Sequence, residues 1–306
     1  MPVPYGRTAC HCLWAAMQSL TLRSYSKVNL DLRILGRYED GYHKLLTLFH
    51  RISLTDTLHL RKAPAGLEIL CRHPAVPCDG SNIMAKAWLL LIKRCPKLGG
   101  VRIRLIKKIP VAAGLGGGSG NAAAFLLGVK RLYGLRISQK ELLSIGFSLG
   151  ADVPFFLSGY SQALGKGRGE QLKKLTSYAI KWFVLIAADY GLSTRDVYRA
   201  LPRKLGAASL TRLERTVRIS THFLDRAEYE KADRLLRNDL EKPAVGLQPE
   251  IAKVIKQAVD FGAPIVRMSG SGPTVFALFP SQKKAKAFAR QFAGIYKNRV
   301  IFCHSA

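Results

Sequence analysis

The chain is short of acidic residues. It holds 20 Asp and Glu against 48 Lys and Arg, a formal net charge of +28 over 306 residues. A field of that sign draws in polyanions of every kind, whether nucleotides, nucleic acids or anionic membranes, and does not choose among them. Many of the cations stand singly on amphipathic stretches, as Arg102 and Arg104 or Lys283, Lys284 and Lys286 do, so solvated faces account for most of them. Cysteine lacks pattern as well: six are present, no CxxC pair occurs, and only Cys10-His11-Cys12 is tightly spaced. That is not the spacing of a zinc site. No protein metal ligands are expected, and reduced thiols in a cytoplasmic protein are. No apolar run approaches the roughly 18 residues of a membrane span, and no internal repeat or low-complexity tract occurs. A hydrophobic content of 48% excludes a disordered chain, and the length leaves room for two domains or one large one.

What is there in abundance is glycine in one place. Pro110-Val111-Ala112-Ala113-Gly114-Leu115-Gly116-Gly117-Gly118-Ser119-Gly120 is followed directly by Asn121-Ala-Ala-Ala124. Ahead of it, Val101-Arg-Ile-Arg-Leu105 alternates as a half-buried strand does, and behind it Ala122 to Leu132 has the Ala and Leu content of a helix. Strand, glycine turn and helix start in that order make an anion site. Unpartnered N–H groups converge at the helix N-terminus, and glycine lets a phosphate approach the main chain. The alternative is a tight strand-to-helix turn that holds no ligand. No Gly-Lys-Ser/Thr follows, which excludes a Walker A loop, and a forced G-x-G-x-x-A at Gly118, Gly120 and Ala123 lacks the serial βαβ units of a dinucleotide fold.

Ordered pattern begins near Ser24. Residues 1–23 read as an extension, either a loose arm or a mis-assigned start with Met17 or a nearby codon as the native initiator; the cluster Leu13–Met17 is too short for a signal peptide. Next, Val28, Leu30, Leu32 and Ile34 share one face of a strand, and Lys27, Asn29, Asp31 and Arg33 the other. Glu39-Asp40-Gly41 signals a turn before a partner strand at Leu46–Leu54, and shorter strands are expected at 57–61 and 67–71. Ser81 is placed to N-cap a helix over 83–94, and Ser138 with Glu141 forms a capping box for a helix that Gly150 stops. Gly165–Gly169 reads as a flexible basic link. Beyond it come a buried strand at 182–188, a charged helical region over 207–242 and a helix after Pro249 with Ile251, Val254, Ile255 and Val259 on one stripe. Strands at 265–268 and 274–279 then flank a second glycine turn, and a last helix runs over 282–293.

Pro110–Ala123 resembles the ATP-binding loop of the galactokinase, homoserine, mevalonate and phosphomevalonate kinase superfamily. Its doubled glycines resemble in particular the 4-diphosphocytidyl-2-C-methyl-D-erythritol kinases of non-mevalonate isoprenoid biosynthesis. Ser26-Lys-Val-Asn-Leu30 with Gly36-Arg and Asp40-Gly-Tyr-His43, then Gly150-Ala-Asp-Val-Pro-Phe-Phe156, then Met268-Ser-Gly-Ser-Gly272 agree with that family in order and spacing. The resemblance covers residues from about 24 to the C-terminus. It implies an α+β fold of two domains, a ribosomal-protein-like N-terminal domain (24–164) with a left-handed crossover and a ferredoxin-like C-terminal domain (165–306), with the site between them. It also implies ATP with Mg2+, and phosphorylation of the 2-hydroxyl of the cytidylated methylerythritol.

By the same resemblance Asp152 is the base that takes the hydroxyl proton and Lys27 its electrostatic partner. Pro110 to Gly120 hold ATP, with Lys108 as a possible aid, and Asn29, Tyr42 and His43 meet the substrate, the last two stacking on and hydrogen-bonding its cytosine. Tyr198 is a candidate second ring. The residues alone leave other readings open: Asp152 as a helix N-cap, Lys27 and Lys108 as solvated charges, Tyr42 as a stray aromatic at a hairpin end, and Ser269–Gly272 as a plain turn. One position departs from the family, Gly120 where a second serine is usual, and this touches the Mg2+ geometry rather than the backbone cradle. The expected partner is the small-molecule substrate, with no nucleic acid or membrane, for a monomer or homodimer. Two rivals are a sister kinase for mevalonate or homoserine and, from the charge, a basic nucleic-acid-binding protein.

Overall fold

Two long strands, β1 (Ser19–Arg37) and β2 (His43–Ala63), run through both units into which the chain divides. The computed structural model describes residues 18–177, 179–202 and 209–306. One unit takes the described residues up to Ser24 with Thr55–Lys108 and Gly117–Ser158; the other takes Tyr25–Leu54, Ile109–Gly116 and Gly159–Ala306. These units cut across a division at residue 164, because 25–54 and 109–116 group with the C-terminal part. Strand pattern also starts earlier than Ser24. Residues 19–23 already belong to β1, while the rest of the expected extension, residues 1–17, lies outside the described residues.

In the first unit, β3 (Leu67–Cys71) pairs in parallel with β4 (Gly100–Ile106), and β4 pairs antiparallel with Thr57–Ala63 of β2. The expected strand at 57–61 is thus the far half of β2 rather than a separate piece. A parallel pair needs a crossover, and α1 (Ile83–Arg94) supplies it. Its N-cap is Asn82, whose side chain accepts from Met84 N at 2.8 Å. Ser81 is instead turned back onto Asp79, with Oγ donating to Oδ1 at 2.6 Å. Three further helices follow: α2 (Gly117–Tyr133), α3 (Gln139–Leu149, with the Ser138/Glu141 capping box formed) and α4 (Val153–Leu157). β4 buries Val101, Ile103 and Leu105 and exposes Arg102 and Arg104, as its alternation requires. Against those apolar residues pack Phe125, Leu126, Val129 and Leu132 of α2. A Cβ at Gly128 would come within 2.4 Å of Leu60 Cδ1, so glycine there sets how closely α2 lies on the strands.

The second unit holds two sheets' worth of pairing. Leu45–His50 of β2 pairs with β5 (Gln162–Gly167), and β5 with β6 (Gln171–Lys174). Gly165–Gly169 is therefore strand and tight turn, not a flexible link. A Cβ on Gly165 would sit 2.7 Å from the Phe49 ring, so that glycine serves packing rather than freedom. After β7 (Trp182–Ile186) come α5 (Thr194–Arg199), α6 (Leu210–Asp225), α7 (Tyr229–Asp233), α8 (Glu241–Leu247) and α9 (Glu250–Asp260). Then follow β8 (Ile265–Met268), β9 (Val275–Phe279), α10 (Gln282–Tyr296) and β10 (Val300–His304). The sheet order is β10-β7-β9-β8 with every neighbour antiparallel, which is the ferredoxin-like arrangement. Its two faces bury different residues. Val184, Ile186, Val275 and Ala277 join one core; Phe183, Leu185, Phe276 and Leu278 join another. That double burial is why 182–188 reads as an unbroken apolar run. On α9 the stripe is Ile251, Val254 and Ala258, and Val259 is 53% exposed, off the stripe on which it was expected.

Replacing the fully buried Phe125 by alanine should cost about 3–5 kcal/mol of stability, read as a lowered denaturant midpoint; a loss near zero would mean α2 is not the core helix of its unit.

Candidate active site

The polar face of β1 is not a solvated face. Lys27, Asn29, Asp31 and Arg33 are all buried, Lys27 to 3% exposure, so each needs partners inside the protein. Arg33 grips Asp31 with two hydrogen bonds of 2.8 and 3.0 Å and donates to Leu235 O at 2.6 Å. Burial pushes the Asp31 carboxyl up from its ordinary value against the pull of Arg33. One step along the strand, Lys27 Nζ donates to Asn29 Oδ1 at 2.5 Å and to Gly114 O at 3.1 Å. Asn29 Nδ2 passes the chain on to Thr47 Oγ1 at 2.7 Å, and Thr47 donates to Asp31 O at 2.8 Å. Lys27 N also donates to Leu115 O at 3.0 Å. Lys27 therefore meets the glycine stretch directly, as a surface lysine would not, and Asn29 meets it through Lys27.

The stretch itself has the backbone of an anion cradle. Ala112, Gly114 and Gly116 have φ of 53°, 73° and 67°, left-handed values at alternate residues, the pattern that turns successive N–H groups to one side. Gly114 is held there by its neighbours. A Cβ would stand 2.2 Å from Ser269 O and 2.9 Å from Gly272 O, and Ser269 Oγ donates to Gly114 O at 3.0 Å. The second glycine turn, Ser269–Gly272, closed by Gly272 N donating to Ser269 O at 2.9 Å, thus packs directly on the glycine stretch. Within it a Cβ on Gly270 would lie 3.2 Å from Lys27 Nζ and 3.1 Å from Asn29 Oδ1. Asn238 secures the turn by donating to Met268 O and Gly270 O, each at 2.8 Å. Among the other loop residues of this unit, Ala113 and Leu115 are buried, Pro110, Val111 and Gly116 are half-buried, and Ala112 is exposed.

Tyr42 and His43 follow the turn at 39–41 and stand differently. Tyr42 is 60% exposed and offers a ring to solvent, while His43 is buried beside Tyr198, ring centroids 4.9 Å apart. Tyr198 therefore packs against the histidine ring. Arg37 Nε donates to His43 Nε2 at 3.3 Å, which makes Nε2 the acceptor and places the proton of the neutral ring on Nδ1. Burial, with Arg37 alongside, lowers the His43 pKa from its ordinary value. Arg168 lies 4.1 Å over the Tyr42 ring and pairs with Asp40, so one face of that ring is already covered.

In the first unit the loop continues as the first turn of α2. Gly117 and Gly120 are buried, Ser119 is half-buried, and Gly118 is exposed with open space where a Cβ would be. The Lys107 side chain is buried in an ion pair with Asp56 at 2.5 Å, while the Lys108 side chain is exposed. Asp152 is the residue before α4, and its side chain makes no cap hydrogen bond. Asp152 is the N-cap by position, with Pro154 in the first turn, but not by a side-chain bond. The helix that follows it is anchored by apolar side chains: Val153, Phe155 and Leu157 are buried, and a Cβ on Gly146 of α3 would reach Leu157 Cδ1 at 2.4 Å. Sequence reasoning gives no role to Thr47, Asp56 and Arg168, and gives Arg37 only as part of the Gly36-Arg motif. Only Arg168, set between Gly167 and Gly169, carried a local signal.

Comparison with known proteins gives the family. The model of the GHMP kinases N terminal domain matches residues 82–160, and that of the GHMP kinases C terminal matches 223–298. A protein of Clostridium kluyveri named 4-diphosphocytidyl-2-C-methyl-D-erythritol kinase is 35% identical over 282 residues, 92% of this chain and 99% of that one. One of the same name from Syntrophus aciditrophicus is 39% identical over 93% and 98%. The chain belongs to the 4-diphosphocytidyl-2-C-methyl-D-erythritol kinase family. A crystal structure of a 4-(cytidine 5'-diphospho)-2C-methyl-D-erythritol kinase superposes with a TM-score of 0.78 at 33% identity, over 93% of this chain and 98% of that one. A homoserine kinase from Cytophaga hutchinsonii shares the fold, TM-score 0.70 at 21% identity. Members of this kinase family use ATP. Among the described residues no helix is long and apolar enough to cross a membrane.

Gly114→Ala should abolish turnover with the protein still folded, because the new methyl collides with two carbonyls and the φ is left-handed. Steady-state kinetics beside a melting curve checks this, and wild-type turnover would show that the contact with Ser269 is dispensable.

Proposed function

We propose that this kinase transfers the γ-phosphoryl group of ATP to the 2-hydroxyl of 4-diphosphocytidyl-2-C-methyl-D-erythritol. The hydroxyl oxygen attacks the γ-phosphorus, the bond to the bridging oxygen breaks and ADP leaves with that oxygen. The hydroxyl proton goes to Asp152. The carrying observation is Lys27, a buried ammonium tied at once to Asn29 and to the glycine-loop carbonyl of Gly114, where positive charge is offered beside the phosphate cradle. The stretch 110–120 holds the triphosphate. Ser119, the hydroxyl-bearing residue of the loop, would help hold a nucleotide-borne Mg2+, which would supply positive charge to the phosphates. Among the described residues no cluster of three or more His, Cys, Asp or Glu is spaced to hold a metal. Gly120 contributes no hydroxyl, and its burial fits a purely backbone role.

The choice of a cytidylated acceptor rests on Tyr42 and His43, with the names of the relatives. An exposed tyrosine ring stacks on a base for about 1–3 kcal/mol, and a neutral imidazole with its proton on Nδ1 offers a donor to the base's polar edge. A plain alcohol such as mevalonate or homoserine has nothing for either to hold. A reduced, cytoplasmic setting suits the four described cysteines, all unpaired.

Asp152→Asn and Lys27→Ala should each cut kcat by about 10²-fold or more while the protein still melts cooperatively. ADP release assayed with the cytidylated substrate against mevalonate and homoserine should occur with the first alone. Near-normal turnover in both variants, or equal use of the plain alcohols, would sink the assignment. The pH dependence has a definite sign. Because the His43 pKa is lowered, the ring gains its proton only below the ordinary histidine value, and KM for the cytidylated substrate should not change as pH falls toward that value. KM should rise only at lower pH, when protonation sets a cation against Arg37; a rise centred at or above about pH 6.5 would contradict this.

A further inference from the structure

We infer that Asp56 is a positioning residue that holds both ends of the nucleotide loop on one carboxylate, an inference that rests on the ATP reading of that loop. Asp56 is fully buried on β2, one residue before the registered pair Thr57 and Ile106 where the ladder with β4 ends. Its side chain continues the ladder by other means. Oδ1 accepts from Lys108 N at 2.7 Å, and Oδ2 accepts from Lys107 Nζ at 2.5 Å. Oδ2 also accepts from Asn121 Nδ2 at 2.9 Å. Lys107 and Lys108 are the last residues before the stretch 109–120, and Asn121 is the first after it. The glycine loop is thus closed at its base by a single group.

Three donors of different kinds converge here: an ammonium, a side-chain amide and a backbone N–H. An ionised carboxylate is the side chain of this size that offers acceptors alone to all of them. The buried charge is compensated by Lys107, whose side chain is itself buried, and Asn121 is steadied from the other side by donating to Ser24 Oγ at 2.9 Å. The consequence concerns ligand binding. A stretch with five glycines samples many conformations, and ordering it on the nucleotide would consume affinity. Closing its ends beforehand on a rigid post removes part of that cost, just as Gly114 does from within.

The test uses calorimetric binding of a non-hydrolysable ATP analogue with Mg2+, alongside steady-state kinetics. Asp56→Asn keeps the shape but turns an amide NH2 toward at least one of the donors; Asn121→Ala cuts only the tie after the loop and remains informative if the first variant fails to fold. Each should weaken the analogue by about tenfold or more and raise KM for ATP. KM for the alcohol and kcat at saturating ATP should change little. The double variant should lose little beyond Asp56→Asn alone, because both act through one post. Variants that melt lower yet bind the analogue as tightly as wild type would overturn the inference and leave Asp56 a stability residue. Failure of the wild type itself to bind the analogue would instead overturn the ATP reading of the loop.

Discussion

The backbone geometry around Gly114 in the second unit depends on its approach to the Ser269–Gly272 turn. The two backbones stand so close that no side chain fits between them, and the Gly114 carbonyl is left facing two donors, Ser269 Oγ and Lys27 Nζ. From that one contact follow the burial of Lys27, the pairing of Lys27 with Asn29, and the chain through Thr47 to the Asp31 carbonyl. A buried ammonium is tolerated only where fixed oxygens surround it. Here they include Asn29 Oδ1 on the same strand and the Gly114 carbonyl 87 residues away, so the lysine is an outcome of the fold as much as a part of the chemistry.

This explains which residues the sequence revealed and which it did not. Glycine, proline and turn chemistry act over a few residues, so the loop at 110–120, the turn at 39–41, the box at Ser138 and the turn at 269–273 could be read locally. Alternation in β1 could also be read, but alternation says only that two faces differ. It gave Lys27, Asn29, Asp31 and Arg33 as a polar face and was silent on whether that face meets water. Their partners, such as Gly114 for Lys27 and Leu235 for Arg33, lie 87 and 202 residues away. Asp56 is the same case, with partners 51, 52 and 65 residues on.

Tertiary pairing overrode local texture elsewhere. Gly165–Gly169 has the composition of a linker, yet pairing with β2 and the nearness of Phe49 make most of it strand. β10 offers only Val300–His304, too short for alternation to stand out, and exists because β7 presents an edge for it. Val259 has the right chemistry for the α9 stripe but lies one residue past Ala258, on the outer side of the turn. The family resemblance supplied expectations for residues far apart in sequence, which composition cannot do.

Ala112 and Gly114 share a left-handed backbone, and that likeness hides an opposite freedom to vary. At 112 the side chain is exposed, so the strain is conformational alone, of order 1–3 kcal/mol, and a glycine would relieve it. At 114 the conformation and the crowding by Ser269 and Gly272 forbid any side chain. Two residues apart in one loop, the first position is open to drift and the second is closed to it. Substitutions accumulating in this kinase should therefore reshape the rim of the cradle while its floor stays fixed.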